Sequence, residues 1–198
     1  MTKKFDIYEF LKTRSLSWSA LSSFEYDPEQ WYARYILNQT EEPTEELKFG
    51  KMIDERLQAD PTFMPHVERF PILQHKMEAS LGKIPLIGYA DAFRPTPPAL
   101  RDYKTGAKAW DQARADETGQ LTFYALLLWL TEKIKPESVD FYIDWMPTKK
   151  NGDFTVSFVD EKDVKVFPTR RTMRQILEFG VRINATVQAM QLYVNSRM

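Results

Sequence analysis

The chain has no cysteine among its 198 residues. That absence excludes disulfides, thiolate zinc sites, cysteine nucleophiles and a cysteine-ligated iron–sulfur cluster. Histidine is nearly absent as well. Only His66 and His75 occur, so no multi-histidine metal site is available, and any metal would sit mainly on oxygen, which suits Mg²⁺ or Mn²⁺. Long apolar runs are missing too. The strongest, Phe123 to Leu130, is far too short to span a bilayer, and the opening MTKKFDIYEF has no apolar h-region of a secretory signal. These features predict a cytoplasmic protein with no membrane partner. The net charge of −1 supplies no global positive field, so a polyanion would have to be met by local charge. Candidates are Lys48 with Lys51, Arg101 with Lys104 and Lys108, and the run Arg170, Arg171 and Arg174. Each could equally be an ordinary solvated face.

What the chain does have is apolar and aromatic matter. Hydrophobic residues make up 43%, with 5 Trp, 9 Tyr and 13 Phe, enough to build one domain over residues 1–198. Aromatics left in a groove could stack on bases. Ser17 reads as the cap of a short helix to about Glu25. Asp27-Pro28-Glu29-Gln30 reads as a second helix start, with Gln30 as capping-box partner and Trp31, Tyr32, Tyr35 and Ile36 as its buried stripe. A third helix is predicted from Thr44 to Leu57. Strands are predicted at Val67–Phe70, Lys76–Leu81, Ile84–Phe93 and Leu100–Lys104. A helix follows over Asp116–Lys133, then strands at Val139–Met146 and Phe154–Phe158. The tail from Thr169 to Ser196 is an amphipathic helix in which Ile176, Ile183 and Met190 recur every seven residues. This order predicts an α/β fold, a mixed β-sheet flanked by helices.

Four local patterns could carry chemistry. Gly88-Tyr-Ala-Asp91 ends a strand with a carboxylate, a possible metal ligand or merely the cap of a turn. In Arg101-Asp102-Tyr103-Lys104-Thr105-Gly106, Asp102 and Lys104 project from one face of a strand. Phosphodiester hydrolysis uses such a pair: the carboxylate holds a divalent cation, which lowers the pKa of bound water, and the lysine stabilises the attacking hydroxide or the transition-state charge. The alternative is an ordinary ion pair. Gln120-Leu-Thr-Phe-Tyr124 sets an amide and a phenol one helical turn apart. Gly50-Lys-Met-Ile-Asp54-Glu55 pairs a glycine, which costs a helix roughly 1 kcal/mol against alanine, with a carboxylate on its own face. That glycine suggests a close neighbour, and Asp54 could be a further oxygen ligand.

Taken together and in order, these motifs resemble the RecB-like branch of the PD-(D/E)XK nucleases, with its restriction-endonuclease-like core. That family shows G-x-x-x-H on a helix, a strand ending in G-x-x-D, a strand with D-Y-K-T-G, and a helix with Q-x-x-x-Y. Leu16-Ser-Trp-Ser19-Ala-Leu-Ser-Ser-Phe24 is similar to its opening S-x-S-x-L-x-x-F. The resemblance spans about Leu16 to Leu130. It implies a metal-dependent DNA exonuclease in which Asp91, Asp102 and the backbone carbonyl of Tyr103 bind Mg²⁺ or Mn²⁺, joined by Asp54. Lys104 would position or stabilise the nucleophilic water, and Gln120 and Tyr124 would hold the DNA backbone or the lysine. Arg101, Lys108 and Arg114 are candidate phosphate contacts from charge alone.

Two departures matter. Asp54 stands at the family's histidine, which shifts preference towards harder ions such as Mg²⁺. Asp27 stands where iron–sulfur members carry a cysteine, so the likeness is to cluster-free members and a CRISPR spacer-trimming role is disfavoured. No P-loop motif is present, so a helicase or single-strand-binding partner would be a separate protein. A catalytically inactive nucleic-acid-binding or assembly module of the same fold is the competing reading, and Asp54 is the feature that favours it.

Overall fold

The computed structural model describes residues 4–198. Short helices open the chain. Helix α1 (Ile7–Thr13) is capped by the Asp6 carboxylate, and its Ile7 and Leu11 share a buried face. Helix α2 (Trp18–Tyr26) is capped by Ser17, and α3 (Pro28–Trp31) by Asp27, which accepts from the amides of Glu29 and Gln30. The reciprocal bond expected from the Gln30 side chain is not formed; instead the chain widens into a π-type turn over Tyr32–Ile36. Helix α4 (Glu45–Ala59) is capped by Thr44 with Glu45 and Glu46 in its first turn.

Six strands make one mixed sheet: β1 (Ile72–Leu81), β2 (Ile84–Pro95), β3 (Pro98–Gly106), β4 (Asp140–Lys150), β5 (Val156–Phe158) and β6 (Lys165–Thr169). They lie in the order β1-β2-β3-β4-β5, with β6 also paired to β4. Only β3 and β4 run parallel. A parallel pair needs a crossover, supplied here by α5 (Gln112–Glu117) and α6 (Gly119–Glu132). Helix α6 buries every residue from Leu121 to Leu128, sandwiched between the sheet and the long α7 (Met173–Asn195). The seven-residue stripe of α7 is core: Ile176, Ile183 and Met190 are fully buried. No helix of the described residues is long and apolar enough to cross a membrane.

Three expectations are corrected. Val67–Phe70 is not a strand. Val67 and Phe70 are buried, which produces the alternation, but Arg69 draws the segment onto the end of α4 by donating to the carbonyls of Leu57, Asp60 and Phe63. Strand β6 was not expected because Pro168 interrupts it; it lies at an edge, where a missing N–H is tolerated. The helix expected over Asp116–Lys133 is two helices, broken at Thr118, whose backbone is extended.

Arg171 fills that break. Its side chain is buried and donates to the carbonyls of Ala115, Thr118 and Arg170 and to the hydroxyls of Thr122 and Thr169. Burial lowers its pKa to about 10, and Asp116 opposes this. The supposed basic run is therefore no free patch: Arg170 pairs with Asp140 and Arg174 with Glu178. Removing a charged donor from several buried acceptors leaves them unpaired, at about 1–3 kcal/mol each. Arg171→Met is thus expected to lower Tm by at least 6–12 °C, on the order of 3 kcal/mol for a domain of this size. Arg171→Lys should rescue little, because one ammonium lacks the forked donors. Thermal unfolding of both variants checks this, and a wild-type Tm in Arg171→Met would refute it.

Candidate active site

The β2–β3 ladder pairs Phe93 with Leu100 and Ala92 with Arg101, and stops there. Continued, it would place Asp91 opposite Asp102. The strands part instead, and the Asp91 carboxylate accepts the Tyr103 amide at 2.7 Å. Asp102, almost fully buried, faces α6 on the same side. Gln120 on α6 donates through Nε2 to Asp102 Oδ1 at 2.9 Å and to the Tyr124 hydroxyl at 2.9 Å. Tyr124 in turn donates to the Tyr89 carbonyl at 2.7 Å. The Q-x-x-x-Y pair thus closes what the parted strands leave open. Lys104 Nζ lies 2.7 Å from Asp102 Oδ2, an oxygen that has no well-directed hydrogen bond.

Helix α4 crosses the end of β3. Its Gly50 is close to Thr105: a Cβ there would lie 2.9 Å from the Thr105 hydroxyl. Gly50, Asp54, Asp91, Asp102, Tyr103, Lys104 and Gln120 all line one open cavity of about 480 Å³. Asp54 accepts from Gln58 at 2.8 Å and from Gln74, whose amide also reaches Asp91 Oδ1 at 3.4 Å. Gln74 has φ +49° near the start of β1, where the ladder to β2 skips the Gln74–Asp91 pair. A non-glycine residue in that region stores strain, and such residues gather at functional sites. Nothing in the local sequence marks Gln74; only the parted strands expose its role.

Electrostatics follow from this crowding. Burial, then the charge of Asp102, pushes the Asp91 carboxyl up to about 7, against the pull of Lys104 and the Tyr103 amide. Burial likewise raises Asp54, with Glu55 and Asp102 adding to it. Burial alone would lower Lys104, but Asp102 and Asp91 together outweigh it and hold its pKa above the ordinary lysine value. With the carboxylates uncompensated by a metal, this direction favours the ammonium form of Lys104. Burial also raises the Tyr124 phenol, which stays protonated as a donor.

Several expected roles change. Gln120 holds Asp102 rather than Lys104. Tyr124 is only 5% exposed and spent on internal bonds, so it does not face DNA. Arg101 points to the opposite face of the sheet, 4% exposed; it donates to both oxygens of Asp144 at 2.8 and 2.7 Å and to Glu68, between the rings of Phe70 and Tyr142. It lines a different cavity, with His66, Glu68 and Asp144, and not the one that holds Asp91 and Asp102. Lys48 and Lys51 pair with Glu45 and Glu55. Lys108 is exposed. Arg114 lies beside the site, its guanidinium 3.9 Å over the ring of Trp110.

The donor set fits a hard divalent cation in kind: carboxylates that repel one another, one with an oxygen lacking a directed hydrogen bond, and no soft ligand. Among the described residues, however, no three acidic or histidine side chains converge as a ready-made metal cluster, and Asp54 is turned onto Gln58 and Gln74.

A carboxyl whose folded pKa lies above its unfolded value, near 4, adds stability that is full below pH 4. That stability is lost as pH rises through about 7. Metal-free protein in EDTA is therefore expected to lose Tm as pH rises from about 4 to about 7, and to level off above that. Asp91→Asn, which keeps an acceptor for the Tyr103 amide, should raise Tm at pH 8 by a few degrees, about 2–4 °C per kcal/mol. An unchanged or lower Tm at pH 8 would refute the crowding.

No protein-family model and no curated protein matches the chain. Solved structures do. A phage-related exonuclease from Haemophilus somnus 129PT is similar with a TM-score of 0.53 at 12% identity, covering 91% of this chain and 83% of that one. A protein named SSO0001 is similar with a TM-score of 0.44 at 11% identity, covering 92% and 84%; at that score it carries no argument. At such identities the likeness is one of fold. The chain has an α/β fold, a six-stranded mixed sheet flanked by helices, and shares it with the phage-related exonuclease.

Proposed function

We propose that this chain is a divalent-metal-dependent deoxyribonuclease of the RecB-like PD-(D/E)XK branch that degrades DNA from its ends. The observation that carries the reading is the meeting of Asp91, Asp102 and Lys104 in one cavity at the point where β2 and β3 part. The shared fold with a phage-related exonuclease supports it. Asp91, Asp102 and the Tyr103 carbonyl would hold Mg²⁺ or Mn²⁺, with Asp54 joining once released from Gln58 and Gln74. The ion would supply a water of lowered pKa and polarise the scissile phosphate.

The remaining work falls to this chain's own residues. Lys104, held charged by Asp102, donates to the phosphate oxygens as negative charge develops. Gln120 fixes Asp102 and thereby Lys104, and Tyr124 fixes Gln120. Such a nuclease suits recombination, repair or phage DNA processing, beside a separate helicase or single-strand-binding protein. One observation favours the second reading, an inactive nucleic-acid-binding module: Asp54 is engaged by two amides and no three-ligand cluster is formed.

End-labelled linear and circular DNA, single- and double-stranded, incubated with Mg²⁺, Mn²⁺ or EDTA, distinguishes the two. Linear DNA is expected to be shortened with metal and spared in EDTA, and circles to be spared throughout. Asp102→Ala and Lys104→Ala should each lose about 100–1,000-fold in rate. Cleavage that persists in both would sink the site assignment; binding without cleavage of any substrate would establish the inactive module. Asp54→His should gain Mn²⁺-supported activity if this position touches the metal.

A further inference from the structure

A second groove of about 590 Å³ adjoins the site, lined by Trp18, Trp110, Arg114, Thr118 and, shared with the carboxylate cavity, Lys104 and Gln120. Its walls come from the start of α2, the loop after β3 and the α5–α6 break. Trp18 is the residue between the two serines of the opening motif, and it packs so tightly over Gly119 that a Cβ there would lie 2.4 Å from its ring. Any side chain at that position would push the indole out of the wall. Trp110 is half-buried against the main core. The Arg114 guanidinium sits over its ring and is fixed by Nη1 bonds to the carbonyls of Lys108 and Ala109 at 3.3 and 3.0 Å. Among the described residues Arg114 has no carboxylate partner, and its charge is close enough to be felt by Lys104.

A half-buried aromatic wall, an anchored planar cation and a continuous path to Lys104 match the chemistry of an unpaired nucleotide. Bases stack on indoles and on guanidinium planes, and phosphates take the free N–H groups. A base inside a duplex is paired and stacked, and would first have to leave the helix. We propose that this groove binds the unpaired nucleotide next to the scissile phosphate, its base against Trp18 and the Arg114 guanidinium and its phosphate between Arg114 and Lys104. The acidic members of the lining fit this division. Asp111 is engaged in capping Arg114 N, and the exposed Glu117 carboxylate disfavours phosphate beside it, leaving the phosphate to Arg114 and Lys104. This deepens the nuclease reading, because the groove matters to cleavage only if the adjoining cavity cleaves.

The test is equilibrium binding of dT₁₂, followed by fluorescence anisotropy with Ca²⁺ replacing Mg²⁺ to hold the chemistry back. In companion oligonucleotides one abasic unit is stepped through the first four positions from each end. Stacking is worth about 1–3 kcal/mol per base, so one abasic position is expected to weaken binding about 5–150-fold on wild-type protein. That contrast should vanish in Trp18→Ala. Arg114→Gln should weaken both probes, the intact one by more because it also loses the guanidinium as a stacking surface, and reduce the salt slope by about one. The abasic series needs no substitution, so its outcome does not depend on a variant's folding. Equal affinity for every abasic probe, or a blunt duplex competing as well as dT₁₂, would overturn the proposal even if wild-type protein cleaves DNA. Abasic discrimination without cleavage would uphold the groove and remove the nuclease.

Discussion

One hydrogen bond, from the Tyr103 amide to the Asp91 carboxylate, sits where the β2–β3 ladder gives way. An antiparallel pair left to itself would exchange backbone bonds across Asp91 and Asp102 and bring two carboxylates side by side in a dry sheet. The side-chain acceptor lets the strands part without abandoning an amide, which would cost about 1–3 kcal/mol if buried and unpaired. Everything around it answers that parting. Tyr124 takes the Tyr89 carbonyl, Gln120 takes Asp102, Gln74 bends to left-handed φ to reach Asp91 and Asp54, and Lys104 compensates the charge.

The two faces of β3 illustrate how alternation divides labour. Asp102 and Lys104 form an ion pair at the acidic cavity, while Arg101 and Asp144 form a more deeply buried one beside Phe70 and Tyr142 on the other face. A buried pair of that kind fixes the register of two strands more than it stabilises them. Here the strands so fixed are the parallel pair β3 and β4, and the residue fixed adjoins Asp102. Burial raises Asp144 to about 6 even with the guanidinium against it.

Much of the frame could be read from the residues. Alternation and turn chemistry located β1 to β5, and caps at Ser17, Asp27 and Thr44 located three helices. Apart from β6, where Pro168 hid the strand, what misled was a longer-range partner. Val67 and Phe70 looked like strand residues because they are buried, while the arginine that holds their segment in a loop bonds to α4. The α5–α6 break is invisible along the chain because the arginine that fills it arrives some fifty residues later. Asp91, Asp102, Lys104 and Gln120, singled out by the order of four motifs and their resemblance to a family pattern, come together in one cavity. The direction of their bonds was not legible, since i and i+4 say which residues share a face and nothing about what lies opposite. Arg101 was misjudged for the same reason: local charge gives no sign of Asp144 and Glu68 across the sheet.

The Arg171 plug also ties the groove wall to the order of synthesis. Residues 111–120 reach the ribosome's exit well before Arg171 does, yet the carbonyls that end α5 and precede α6 have their buried donor only when that arginine and β6 arrive. Until then the turn that presents Trp110, Arg114 and Gln120 lacks its internal brace. A nascent or truncated chain ending before Arg171 would carry every residue of the acidic cavity and still lack a formed entrance to it. The wall of the groove is thus completed by a residue from the C-terminal part of the chain rather than by its own neighbours in sequence.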